Sequence, residues 1–378
     1  MINNVKNAHK NSPAKTPLFT TDTPQYYDMI VFCHLRWQFV YQRPQHLISR
    51  FSTSMKILFV EEPLHQNSDA AGDLIVISET LHVLQPNVND IESIANVLPQ
   101  YVKNKTITIG WFYSASFSPL LEQFNFETVV YDCMDELSLF KGAPAHLINQ
   151  EKYLMAHADI IFTGGKSLYE SKKQLHSNVY CFPSSVDEEH FAQALNGIAV
   201  AGDIAGLPAP VVGYYGVIDE RIDLQLLHES SKKLPHVSFV MIGPLAKIDD
   251  ADLPKENNIY YLGMKSYHEL PAYLKAFDIA MMPFALNDAT KYISPTKTLE
   301  YMAAGKPIVS TKITDVVRDY SESVSLIENA DEFCTSIQSL LDEKDSLVFQ
   351  EEYAKILQKT SWNATADKMK SIIKKLAK

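Results

Sequence analysis

Short apolar runs alternate with stretches of helical spacing along most of the chain. MIVFCHL (29–35), KILFVEEP (56–63), ITIGWFYS (107–114), TVVYDCMDE (128–136), DIIFTGG (159–165) and VYCFPSSVD (179–187) each end in a polar loop. DLIVISETLHVLQP (73–86) holds one or two strands more. Continuous apolar runs with helices between them predict a parallel sheet covered on both faces. A weakly periodic segment rich in Ala, Gly and Pro, ALNGIAVAGDIAGLPAP (194–210), then interrupts the pattern and reads as a boundary. The pattern restarts with VVGYYGVI (211–218), VSFVMIGP (237–244), NIYYLGM (258–264), DIAMMPFAL (278–286), KPIVSTKI (306–313) and VSLIEN (324–329).

The expectation is an α/β chain of two doubly wound, Rossmann-like domains facing each other across a cleft, with ligands at the carboxyl ends of the strands. Residues 1–26 read as a flexible leader, 27–198 as the first domain and 209–360 as the second. Residues 361–378 read as a closing helix, capped near Ser361 or Asn363, that packs back on the first domain.

A length of 378 residues suits two cores. The first 195 residues carry 14 basic and 20 acidic side chains and the remainder 20 and 25, so neither half is basic. Nucleic acid is therefore not the expected partner. Cys33, Cys133, Cys181 and Cys334 are scattered without metal spacing and read as buried thiols of a reducing compartment. The polar N-terminus and the lack of any long apolar run predict a cytoplasmic protein. Lys6, Lys10 and Lys15, with Lys368, Lys370, Lys374, Lys375 and Lys378, leave room for peripheral association with the inner face of the membrane, or are simply solvated faces.

The segment Tyr292-Ile-Ser-Pro-Thr-Lys-Thr-Leu-Glu300-Tyr-Met-Ala-Ala-Gly305 holds the most chemistry. Ser294 can cap a helix that has Pro295 at its first position. The amides of Thr296, Lys297 and Thr298 then suit a diphosphate, and Glu300, one turn on, can hold a ribose diol. The same residues would also serve a plain capped helix.

This segment resembles the nucleotide-sugar motif of GT-B glycosyltransferases, family 4 in particular. V-G-Y-Y-G-V-I-D-E-R (212–221), F-V-M-I-G-P (239–244), Y-L-G-M-K-S-Y-H-E-L-P-A-Y-L (261–274), W-Q-F-V-Y-Q-R-P-Q-H-L (37–47) and Y-D-C-M-D-E-L (131–137) follow the same order. The ensemble is similar to bacterial teichuronic-acid-type and exopolysaccharide glycosyltransferases. The resemblance implies hexosyl or glycuronosyl transfer from a nucleotide diphosphate sugar, UDP-linked, to a saccharide or lipid-linked acceptor. It implies no metal and no cofactor beyond that co-substrate. The donor site would comprise Gly216, Arg221, Met264, Lys265, Lys291, Tyr292, Ser294, Pro295, Thr296, Lys297, Thr298 and Glu300. Arg221 could instead pair with Glu220 or Asp223 on the surface.

Family 4 enzymes often carry two glutamates eight positions apart. Glu300 matches the second, and Tyr292 stands in place of the first. Lys291 beside it could face a uronic acid donor. In the first domain, Arg36, Trp37 and Arg43 are expected to meet the acceptor. Asp135, Asp132 and His34 are the candidates for catalysis. Helix capping by the aspartates and a structural role for His34 stand as alternatives. So do a nucleotide-sugar epimerase of the same fold and a catalytically silent sugar-nucleotide-binding partner of a polysaccharide assembly complex.

Overall fold

The computed structural model describes residues 23–64, 72–342 and 348–376. Most of the leader, with Lys6, Lys10 and Lys15, and the terminal Lys378 lie outside them. The first sheet comprises β1 (Met29–Cys33), β2 (Ile57–Glu61), β3 (Gly72–Ser78), β4 (Leu81–Pro86), β5 (Thr106–Phe112), β6 (Asn125–Cys133), β7 (Ile160–Thr163) and β8 (Val179–Cys181). Their order is β3-β4-β2-β1-β5-β6-β7-β8, and only the edge strand β3 is antiparallel to its neighbour. The second sheet comprises β9 (Val211–Tyr215), β10 (Ser238–Ile242), β11 (Ile259–Gly263), β12 (Ile279–Met282), β13 (Ile308–Thr311) and β14 (Ser325–Ile327). It is parallel, in the order β11-β10-β9-β12-β13-β14. Each order turns at its first strand, β1 or β9, the switch point where doubly wound sheets open a crevice.

β1 shows why these runs become central strands. All five of its residues are buried. Successive side chains leave opposite faces of a strand. Ile30 and Phe32, with Leu58 and Val60 of β2, enter one core; Met29, Val31 and Cys33, with Ile57 and Phe59, enter the other. The second of these cores also takes in Leu47, Ile48 and Phe51 of the helix Arg43–Phe51. Trp362, Ala366, Met369 and Ile373 of the closing helix Trp362–Leu376 complete it. Spacings of four, three and four put those four residues on one face of the helix.

The crossing between domains lies earlier than the Ala/Gly/Pro-rich stretch suggests. Val186, Phe191, Ala194 and Ile204 all belong to the core of the second sheet. The segment from 186 onward therefore packs with the second domain, although it precedes β9. Composition registers backbone freedom, whereas membership of a core depends on contacts distant in sequence.

No helix among the described residues is long and apolar enough to cross a membrane.

Candidate active site in the interdomain cleft

The carboxyl ends of β6, β7 and β9, with residues 40–43 after β1, line a cleft between the domains. β9 ends at Tyr215, and Gly216 follows with φ 142°. The Lys297 side chain lies over Gly216: a Cβ there would meet Lys297 Cε at 2.3 Å and Nζ at 2.7 Å. The backbone angle is what requires glycine here.

The helix Lys297–Ala303 begins later than its sequence suggests. Thr296, with helical backbone angles, occupies the capping position, and no side chain caps it. Ser294 instead accepts, through its carbonyl, a 2.9 Å bond from Ser184 Oγ of the first domain. Thr296 Oγ1 donates to the same Ser184 Oγ at 3.0 Å. The turn is thus held by an interdomain contact rather than by a local cap. The amide of Thr298 is occupied by Pro295 O at 3.2 Å, and the Thr298 side chain is buried against Met282 Sδ.

Glu300 is buried, and Tyr215 Oη donates to its Oε2 at 2.7 Å. Burial raises the pKa of Glu300, while Lys297 and the Tyr215 bond oppose that rise. Burial lowers the pKa of Lys297, and Arg221 adds to that effect. Its ammonium stands 5.7 Å from the centroid of Tyr214. Arg221 is not paired with Glu220 or Asp223. Its guanidinium grips Asp219 at 2.7–3.1 Å and lies 5.4 Å from the Phe140 ring centroid in the first domain.

Across the cleft, Asp135 follows the end of β6. Burial raises its pKa to about 6, against the pull of Arg221, Arg43 and Lys297. Its neighbour Glu136 is held by Lys172 at 2.7 Å, and Lys172 also holds both oxygens of Glu151 at 2.8 Å. This buried clamp fixes the loop that presents Asp135.

The structure thus brings Gly216, Arg221, Lys265, Ser294, Pro295, Thr296, Lys297 and Glu300 together with Asp135 and Arg43 on the cleft walls. Other expectations are corrected. Asp132 lies inside β6, fully buried, in a two-oxygen ion pair with Arg43 at 2.9–3.1 Å. It neither reaches the cleft nor caps a helix, so it has no access to an acceptor hydroxyl. Arg43, thus neutralised, also donates to Phe182 O and anchors its loop. Arg36 is tied to Glu61 and to the carbonyls of Glu62 and Pro63. Trp37 packs edge-on against Phe59 at 5.1 Å. Arg36 and Trp37 therefore fasten the loop to the sheet, and neither lines the cleft.

His34 does not line the cleft; burial, aided by Lys247, lowers its pKa to about 4. Met264 is exposed outside the cleft, while Lys265 lines the wall but is bound to Asp203 at 2.6 Å. Lys291 lies exposed over the ring of Tyr292, which packs against the first domain's core. The position of the missing glutamate therefore serves domain contact, and Lys291 is not among the residues that line the cleft. Tyr41, His46, Tyr215, Tyr267 and Leu270 line or support the site, yet sequence did not single them out. Tyr215 could have been suspected, because it is the last residue of β9, just before Gly216.

Residues 209–343 match the family model described as Glycosyl transferases group 1. TuaH of Bacillus subtilis (strain 168), provisionally named a teichuronic acid biosynthesis glycosyltransferase, is 23% identical over 272 residues, 67% of this chain and 68% of that protein. The sucrose-phosphate synthase of Thermosynechococcus elongatus superposes with a TM-score of 0.69 at 14% identity, over 94% of this chain and 99% of that one. An E. coli trehalose-6-phosphate structure bound with UDP-2-fluoro glucose gives 0.68 at 12% identity, over 92% and 98%. The catalytic domain of Arabidopsis thaliana starch synthase IV bound to ADP and acarbose gives 0.63 at 8% identity, over 93% and 100%. The chain has the GT-B fold, and residues 209–343 within it match the group 1 glycosyl transferase model.

Proposed function

We propose that this protein transfers a glycosyl group from a nucleotide diphosphate sugar to a saccharide or lipid-linked saccharide in cell-surface polysaccharide synthesis. The observation that carries the reading is the arrangement Glu300, Lys297, Gly216 and Arg221 on one wall, with Asp135 opposite. A carboxylate suited to a ribose diol, the Lys297 ammonium suited to a diphosphate with the Asp219-bound Arg221 beside it, and a carboxylate of raised pKa stand in one cleft. The teichuronic name of the Bacillus relative supports the cell-surface context.

In the reaction, the bond from the anomeric carbon to the diphosphate oxygen breaks, and its electron pair leaves with the nucleoside diphosphate. A bond forms from that carbon to the acceptor oxygen, whose proton passes to the Asp135 carboxylate. Lys297 and Arg221 face the charge that develops on the leaving group, so no metal is required in this scheme. Preorganised charge of this kind is usually the largest catalytic contribution. UDP is the first nucleotide to try, although structural neighbours are bound with UDP-2-fluoro glucose or with ADP. Work at the inner membrane face is part of the reading. Lys368, Lys374 and Lys375 of the closing helix could contribute there, whereas Lys370 already donates to Arg50 O.

The test is a thermal-shift panel of UDP, ADP, GDP and dTDP and their sugars, run beside Glu300→Ala. A ligand that binds only the folded protein raises its Tm by mass action. The expected result is stabilisation by one nucleotide diphosphate that the variant loses. The absence of any shift in the wild type would overturn the reading.

A further inference from the structure

The electrostatic neighbours in the cleft give it a direction. Asp135 adjoins Arg221 and Lys297. Lys297 and Glu300 sit one turn apart on the helix Lys297–Ala303, and Tyr267, which feels the charge of Glu300, lines the same cleft. A nucleotide diphosphate sugar has the matching sequence of groups: sugar, diphosphate, ribose, base. This correspondence, which rests on the function proposed above, puts Tyr267 at the nucleoside end.

That end is built from both domains. The ring of Tyr267 stacks on Tyr41 of the first domain, with centroids 4.5 Å apart and planes at 28°. It also stacks on His190 at 4.3 Å and 13°. Two near-parallel rings at such distances cannot share one face, so both faces of Tyr267 are covered. Tyr267 therefore offers no stacking platform to a base. Its hydroxyl, by contrast, is buried and has no hydrogen-bond partner among the described residues. Buried hydroxyls are ordinarily partnered. His46 stacks on Trp362 at 4.6 Å and meets Tyr41 edge-on at 4.6 Å, backing the arrangement from the first domain.

We infer that the first domain completes the nucleoside subsite: Tyr41 holds the Tyr267 ring in place, and the Tyr267 hydroxyl hydrogen-bonds the nucleoside of the donor. Nucleotide binding then requires the two domains to be apposed, and the hydroxyl contributes to the choice of nucleoside.

The experiment is titration calorimetry of the full chain with UDP, ADP, GDP and dTDP, on wild type, Tyr267→Phe and Tyr41→Ala. Tyr267→Phe keeps both stacks and removes only the hydroxyl. It should weaken the preferred nucleotide about five- to tenfold, the effect of one hydrogen bond, with the ligand-free Tm unchanged. Tyr41→Ala should lose at least as much affinity as Tyr267→Phe. Wild-type affinity in Tyr267→Phe would overturn the hydroxyl contact. Wild-type affinity in Tyr41→Ala would overturn the first domain's part. Failure of the wild type to bind all four nucleotides would instead remove the proposed function, and this inference with it.

Discussion

Replacing Asp135 by Asn separates the cost of a buried carboxylate from its use. Burial lifts its pKa from the usual 3.8 to about 6 despite three neighbouring cations. That gap corresponds to about 3 kcal/mol, at ~1.36 kcal/mol per pH unit. Water at the cleft mouth screens part of it, leaving about 1–3 kcal/mol. The sign follows from linkage. A raised folded pKa means that the native state holds its proton while the unfolded chain has lost it, so stability declines as pH rises from about 4 to about 6. Above pH 6 the ionised carboxylate burdens the fold, and Asn carries no such burden. Asp135→Asn should therefore raise Tm at pH 7.5 and leave it nearly unchanged at pH 4.5. The same substitution should lower transfer by about 10²-fold or more, the range for loss of a general base. Wild-type turnover should fall below pH 6, to roughly a tenth at pH 5, as the base is protonated. Equal destabilisation of the variant at both pH values would refute the account of Asp135 as a half-buried carboxylate whose pKa is raised by desolvation. An unaltered transfer rate would refute its role as base.

Two further outcomes follow from the packing. Asp132→Ala leaves the Arg43 guanidinium buried without its carboxylate, so stability should drop by about 3–5 kcal/mol in urea unfolding; a loss below about 1 kcal/mol would show that the pair is dispensable. Trp362→Ala removes a fully buried ring stacked on His46, and about 3–5 kcal/mol should go with it, read as a lower Tm; an unshifted Tm would mean that the closing helix is not part of the first core.

The central strands were legible because each is a short apolar run, as in β1, β2, β9, β10 and β12, whose residues are all buried, and such runs need no partner to be recognised. The order of the sheets follows from their doubly wound pattern. The glycine and the charged residues after β9, and the stretch around Glu300, also announced themselves locally. What remained hidden depends on contacts between distant residues. Asp132 and Asp135 look alike in Tyr131-Asp-Cys-Met-Asp135, yet β6 runs on to Cys133 and carries Asp132 into the core. Its partner, Arg43, lies 89 residues away. Ser294 and Pro295 read as a cap and first turn, but Ser184 from the other domain takes the Ser294 carbonyl, and the helix begins at Lys297. Tyr41 and Tyr267 are ordinary loop tyrosines until two domains bring them face to face.

The exchange of segments between the cores bears on how the molecule can be divided. Val186, Phe191, Ala194 and Ile204 precede the second sheet but fill its core, while Trp362, Ala366, Met369 and Ile373 follow that sheet and fill the core of the first. A fragment comprising residues 209–360 would leave the second core without those four side chains. A fragment ending before Ser361 would strip a face from the first. No single cut yields two intact halves; only a chain beginning near 183 and ending near 360 would keep the second core whole, leaving the first to be assembled from two pieces.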